Sequence, residues 1–204
     1  MAESDTLDKL VETGELLQGK YGFLSSYVKW KDGTSCKMNM PSAVDPQWYD
    51  EIPFLFEHQL FRIKSASFVS CFIKSEMIRL VGLPIKEFFI WGDDTEYTER
   101  LFQYYPGYFV YQSQVIHAMK ENTTASSIID ADEARLERYF YLYRNRYYIA
   151  RQHGALYAIK YLFDMQAQIR QIAKTDYKDK KERIRIVRKG CIAGMHFHPQ
   201  IDFL

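Results

Sequence analysis

Leu7, Leu10, Val11, Gly14 and Leu17 fall near one face of a helix predicted over residues 5–18 and closed by Gly19 and Gly22. Residues 23–30 then read as a strand, and Asp32-Gly33 turns it into a polar strand over residues 35–40, a hairpin signal. Residues 41–56 hold Pro41, Pro46 and Pro53 with Trp48 and Tyr49, so an irregular loop and a short extended piece are expected. A buried strand over residues 67–73 leads into a helix over residues 75–80, broken by Gly82-Leu83-Pro84. Phe88-Phe89-Ile90-Trp91 is apolar and bounded by charges, the pattern of a buried strand, and residues 95–104 turn helical. A strand follows at residues 108–117, then a polar loop at 121–127, and three helices at 133–151, 155–173 and 178–191. The order predicts an α/β portion over residues 1–130 and a helical extension over residues 131–204.

Composition narrows this little: at 47% hydrophobic and 26% charged, 204 residues can bury a core. A formal net charge of +1 provides no global field for nucleic acid, which is not an expected partner. Cys36, Cys71 and Cys191 are odd in number and far apart, so neither a disulfide framework nor a zinc knuckle is indicated, and a reducing cytoplasm fits. No apolar run approaches the roughly 20 residues of a membrane-spanning helix. The high aromatic content suits sugar stacking, although a tyrosine-rich core is the simpler explanation.

Candidate chemistry centres on Trp91-Gly92-Asp93-Asp94-Thr95-Glu96, where an apolar segment delivers carboxylates to a helix start. Free amides and the helix dipole there favour an ionised Asp able to accept a proton from a hydroxyl nucleophile. Asp93 and Glu96 also match a capping box, an explanation compatible with catalysis. A cap does not account for a second carboxylate, Asp94, after a glycine that admits close approach of a ligand.

These residues, with Val81-Gly82-Leu83-Pro84 before them and Arg100-Leu101 after, resemble glycosyltransferase family 2, particularly its rhamnosyltransferase and galactofuranosyltransferase-like branch. Tyr21-Gly22-Phe23-Leu24-Ser25-Ser26, Trp30-Lys31-Asp32-Gly33, Ser67-Phe68-Val69-Ser70 and Val115-Ile116-His117 look like further parts of that family in the same order. The resemblance covers residues 5–152 best. It implies the acceptor side of a glycosyltransferase A-type fold: a mixed sheet with flanking helices. By the same resemblance Asp94 is the catalytic base of an inverting sugar transfer. Trp91, Gly92, Asp93 and Glu96 bind acceptor or orient the base, and His117 is a ligand of Mg2+ or Mn2+. From the residues alone, a satisfied histidine at a strand end is the simpler reading of His117.

The family's N-terminal nucleotide-binding region and its metal-binding Asp-x-Asp have no counterpart here, so this chain alone is expected to be inactive and a poor binder of nucleotide-sugar. Asp130-Ala131-Asp132 lies after the base and opens a helix, which marks a cap rather than a metal site. The expected partners of the complete enzyme are a nucleotide-sugar donor and a saccharide or lipid-linked glycan acceptor. Arg135, Arg138, Arg144, Arg146 and Arg151 interleave with aromatics and are expected on a solvated or diphosphate-facing edge. The basic run over residues 178–189 reads either as a solvated face or as a peripheral contact with the inner face of a membrane.

Overall fold

The computed structural model describes residues 4–44, 50–123 and 127–204. The chain forms two compact units, one of Met1–Pro84, Asp94–Ala125 and Ile201–Leu204, the other of Ile85–Asp93 and Ser126–Gln200. Residues 85–93, placed by the sequence division in the first portion, therefore belong with the helices.

The first unit is built on a mixed sheet of β1 (Phe23–Lys29), β2 (Ser42–Ala43), β3 (Leu60–Ser65) and β4 (Gly107–Ile116), in the order β1-β4-β3-β2. β1 and β4 are parallel, and the other pairs are antiparallel. Around it lie α1 (Thr6–Leu16), α2 (Ile52–Glu57), α3 (Ser75–Val81) and α4, which begins at the unit boundary (Asp93–Phe102). Alternation along the strands sends Leu24, Leu60, Tyr108 and Val110 toward Leu10 and Leu17, while Phe23 and Ile63 meet Met77, Val81, Tyr97 and Leu101. Both faces of the sheet thus carry buried residues, although Phe61 and Tyr111 leave part of one face open. Phe23 lies opposite Gly107, where a Cβ would come within 2.2 Å of the Phe23 ring, so only glycine fits that register.

Several predicted elements differ. The polar strand after Asp32-Gly33 is a single bridge, Lys29 to Ser35, followed by a 3-10 turn over Lys37–Asn39. Residues 67–73 form a loop touching β1 through one bridge, Leu24 to Phe72, on the edge opposite β4. β3 is an unpredicted strand whose Arg62 and Lys64 interrupt the apolar alternation. Part of the predicted 41–56 loop, residues 45–49, lies outside the described residues, as do residues 124–126 of the polar loop.

The second unit contains α5 (Tyr139–Gln152), α6 (Ala155–Ala173) and α7 (Lys180–Met195), with a 3-10 turn over Glu133–Arg138 where the sequence predicted α-helix. Its core joins Leu136, Tyr139, Tyr143, Ile172, Ile186 and Val187. Gly190 and Gly194 set α7 against α5: a Cβ at either would lie 2.6 or 2.8 Å from the Cβ of Tyr143 or Tyr147.

Of the arginines expected on an open edge, Arg135, Arg138 and Arg146 are exposed, whereas Arg144 and Arg151 are drawn onto backbone carbonyls, as is Arg183 of the basic run. Buried Arg183 bonds Asp179 through both carboxylate oxygens, at 2.9 and 2.7 Å, and donates to Ile128, Ile129 and Ala131 carbonyls. Arg151 donates to the Met195 and Phe197 carbonyls, and Arg144 to that of Glu87. Each guanidinium supplies donors in a planar fork that suits carbonyls left open at turns and helix ends. No helix among the described residues is long and apolar enough to cross a membrane.

Candidate functional site

The approach to the acidic turn is not a strand. Lys86–Phe88 is a 3-10 turn, and Phe89, at φ 61 and ψ −54, makes a left-handed γ-turn in which the Ile90 amide donates to the Phe88 carbonyl at 2.6 Å. Trp91 and Gly92 follow at φ 63 and 86, and Phe89 is 71% exposed. Two aromatic residues in left-handed backbone store strain that surrounding contacts must hold.

The holding group is Asn145 of α5, fully buried in the second unit. Its amide nitrogen lies 2.9, 3.1 and 2.8 Å from the carbonyls of Phe88, Ile90 and Trp91, three acceptors shared by two hydrogens. Its oxygen accepts from Arg144 Nε at 3.0 Å and Nη2 at 2.9 Å. These bonds replace the partners a neighbouring strand would have offered. The Trp91 ring packs on Tyr139 at 4.9 Å between centroids. A Cβ on Gly92 would meet Ile149 Cδ1 at 3.2 Å, and its φ of 86 is one that side-chain-bearing residues rarely adopt, so local backbone and packing account for the glycine.

Beyond the boundary, Asp94 is half-buried in the first turn of α4 and its Oδ1 accepts from the Thr95 amide at 2.7 Å. The Asp94 carbonyl accepts from Thr98 Oγ1, which in turn accepts from the Ala66 amide at 3.2 Å, tying α4 to the end of β3. Glu96 is 8% exposed and both its oxygens accept from Arg100, at 3.0 and 2.9 Å. Arg100 also donates to the Val81 and Leu83 carbonyls, so Glu96 faces the α3 terminus. The expected reciprocal bond of a capping box is replaced by this ion pair.

The Cys71 thiol is pushed up to about 12, by burial first and by the negative charge of the Asp94 carboxylate second. Cys71 is therefore a protonated neighbour of Asp94 rather than a nucleophile. Alkylation of Cys71 at pH 8 is expected to run on the order of a hundredfold or more slower than that of free cysteine. Asp94→Asn removes the opposing charge, lowers the thiol's titration point and should accelerate the reaction; an unchanged rate in mass-spectrometric mapping would contradict the proximity.

His117 follows β4 directly, and its amide donates to the Lys29 carbonyl at the end of β1 at 2.8 Å. Its Nδ1 donates to Asn39 Oδ1 at 2.8 Å, and the Cys36 thiol donates to the same oxygen at 3.0 Å. That tautomer leaves the Nε2 lone pair for an external partner. Asn39 Nδ2 donates to Ser67 Oγ at 2.7 Å, so a continuous polar connection runs from His117 through Asn39 to the loop that carries Cys71. Asn39, Ser67 and Asn145 are ordinary polar residues in sequence, and only the fold shows their roles.

Asn39 also lines a hollow of about 460 Å3 walled by Tyr27, Phe61, Phe109 and Tyr111. Tyr27 and Tyr111 stack at 5.4 Å with planes 19° apart. A hard cation such as Mg2+ or Mn2+ wants several oxygen ligands. Around His117 the structure offers an imidazole, a thiol and an amide, and no three His, Cys, Asp or Glu side chains converge among the described residues. These groups alone do not fit a divalent metal centre. No family model matches the chain, and neither a curated protein nor a solved structure is found to match it.

Proposed function

We propose that this chain is the acceptor side of an inverting glycosyltransferase with an A-type fold, which moves a sugar from a nucleotide-diphospho-sugar to a saccharide or lipid-linked glycan. Asp94 is the base in this reading: the acceptor hydroxyl gives its proton to a carboxylate oxygen as its own oxygen bonds to the anomeric carbon and the nucleoside diphosphate departs. The observation that carries it is that α4, which bears Asp94, is tied to residues 66–68 by the Thr98–Ala66 bond and the Phe68–Tyr97 ring contact, and that Ser67 leads through Asn39 to His117. His117 also stands just past the end of β4, and ligand sites of α/β sheets lie beyond the carboxyl ends of strands. The residue-by-residue resemblance of Trp91 to Glu96 to family 2 supports the assignment. His117 would bring one ligand, Nε2, to a cation; the others would come from the donor diphosphate and from groups outside this set.

The aromatic hollow favours a second reading, a saccharide-binding module without catalysis. Both readings expect saccharide to stack on Tyr111, which is half open to solvent. Tyr111→Ala is expected to weaken binding of a saccharide ligand by about five- to tenfold in NMR titration. Equal affinity in the variant would remove the hollow from both readings. Transfer assays with nucleotide-sugars, in a polypeptide uniting this chain with a nucleotide-binding region, separate them: sugar transfer that fails with Asp94→Asn supports the enzyme, and saccharide binding without turnover supports the module.

A further inference from the structure

The exposed face of α7 has a composition unlike the rest of the helical unit. From Lys181 to His196 its open positions recur at spacings of three and four residues, one continuous stripe of the helix. The stripe carries Lys181, Arg185, Arg188 and Lys189 beside Ile184 and Ile192, and with Phe140 of α5 it lines a shallow groove of about 570 Å3. Arg185 is balanced by Glu182 and Glu137. Lys181, Arg188 and Lys189 form no ion pair among the described residues, and Lys189 Nζ sits 5.4 Å over the Phe140 ring. Ile192 is 58% exposed. Arg183, on the same helix, faces inward and is saturated, so the positive surface is confined to the outer stripe.

We infer that this groove docks the helical unit on an anionic lipid surface, the cations meeting headgroup phosphates while Ile192 enters the headgroup–acyl boundary. Charge complementarity selects an anionic occupant, and the exposed Ile192 beside the cations selects lipid over a wholly polar polyanion. A helix lying in the interface needs this mixture of a basic flank and an apolar strip, with no spanning segment. The docking depends on α7 and Phe140 alone and stands whether or not the chain takes part in glycosyl transfer.

The test is cosedimentation of the 204-residue chain with phosphatidylcholine vesicles and with vesicles in which a third of the lipid is phosphatidylglycerol, at low and physiological salt. Binding is expected to the anionic vesicles alone and to fall with salt. Each cation lost should lower partitioning by roughly fivefold, so Arg188→Glu with Lys189→Glu should lower it by about 25-fold or more. Ile192→Ser should lower it several-fold at unchanged salt dependence, and Lys20→Glu, in the other unit, should leave it unchanged. These positions are exposed, and circular dichroism should confirm that each variant stays folded. Retained binding in the double charge variant, indifference to Ile192→Ser, abolition of vesicle binding by millimolar inorganic phosphate, or tighter binding to duplex RNA than to vesicles would each overturn the proposal.

Discussion

Replacing Asn145 with Leu is expected to lower the stability of the helical unit by about 3 kcal/mol, measured as a shift of the urea-unfolding midpoint. The side chain is fully buried and its amide serves the carbonyls of Phe88, Ile90 and Trp91. Leucine fills the volume but leaves those carbonyls and two Arg144 donors without this partner. Each unsatisfied buried group costs roughly 1–3 kcal/mol. The sum is not reached, because Phe89 and Trp91 can relax from left-handed backbone and recover roughly 1–3 kcal/mol apiece. Asn145→Asp keeps an acceptor for Arg144 yet turns an anion toward three carbonyls, so it should be destabilised as well. Trp91 fluorescence should shift as its contact with Tyr139 loosens. An unchanged midpoint in both variants would mean that Asn145 does not hold the turn.

That clamp explains where sequence reading stopped. Phe88 to Trp91 has the composition of a buried strand, and its periodicity cannot separate a strand from a loop whose hydrogen bonds come from another element. The partner is 57 positions away from Phe88 and looks like any polar residue of an amphipathic helix. Residues 67–73 are apolar enough to read as a strand, but only Phe72 pairs with β1, through one bridge on the edge opposite β4. β3 went unseen because Phe61 is open while Arg62 is half-buried against Glu51, the reverse of simple alternation.

What was legible rested on long, regular periodicity. α1 was found, although its buried face runs through Thr6, Leu10, Thr13 and Gly14, with Leu7 and Val11 open to solvent. β1, β4 and the three long helices were found with boundaries shifted by a few residues. In the candidate site, Asp94 and His117 could be singled out as residue types in a motif, whereas the Asn39–Ser67 link is made by a 3-10 turn and a loop with no periodic signal. Glu96 shows the limit of spacing arguments: three residues after Asp93 it fits a cap, and four before Arg100 it fits an ion pair, and burial beside the α3 carbonyls selects the pair.

The base assignment makes the larger kinetic prediction. Loss of a positioned general base costs typically 10²–10⁴-fold in rate. Asn at position 94 retains an acceptor for the Thr95 amide and leaves the Thr98 bond to the main-chain carbonyl intact, so α4 should start as before. What it loses is a carboxylate able to take a proton from the acceptor hydroxyl. Arg100→Lys, which breaks the fork on Glu96 and the α3 terminus, should instead lower stability first and activity only through it.

The most direct measurement is the turnover of nucleotide-sugar onto a glycan acceptor by Asp94→Asn, beside the unaltered protein, in a polypeptide that unites this chain with a nucleotide-binding region. A loss of about 10²-fold or more is expected at unchanged circular dichroism and unchanged unfolding midpoint; full activity in the folded variant would contradict the role of Asp94 as base.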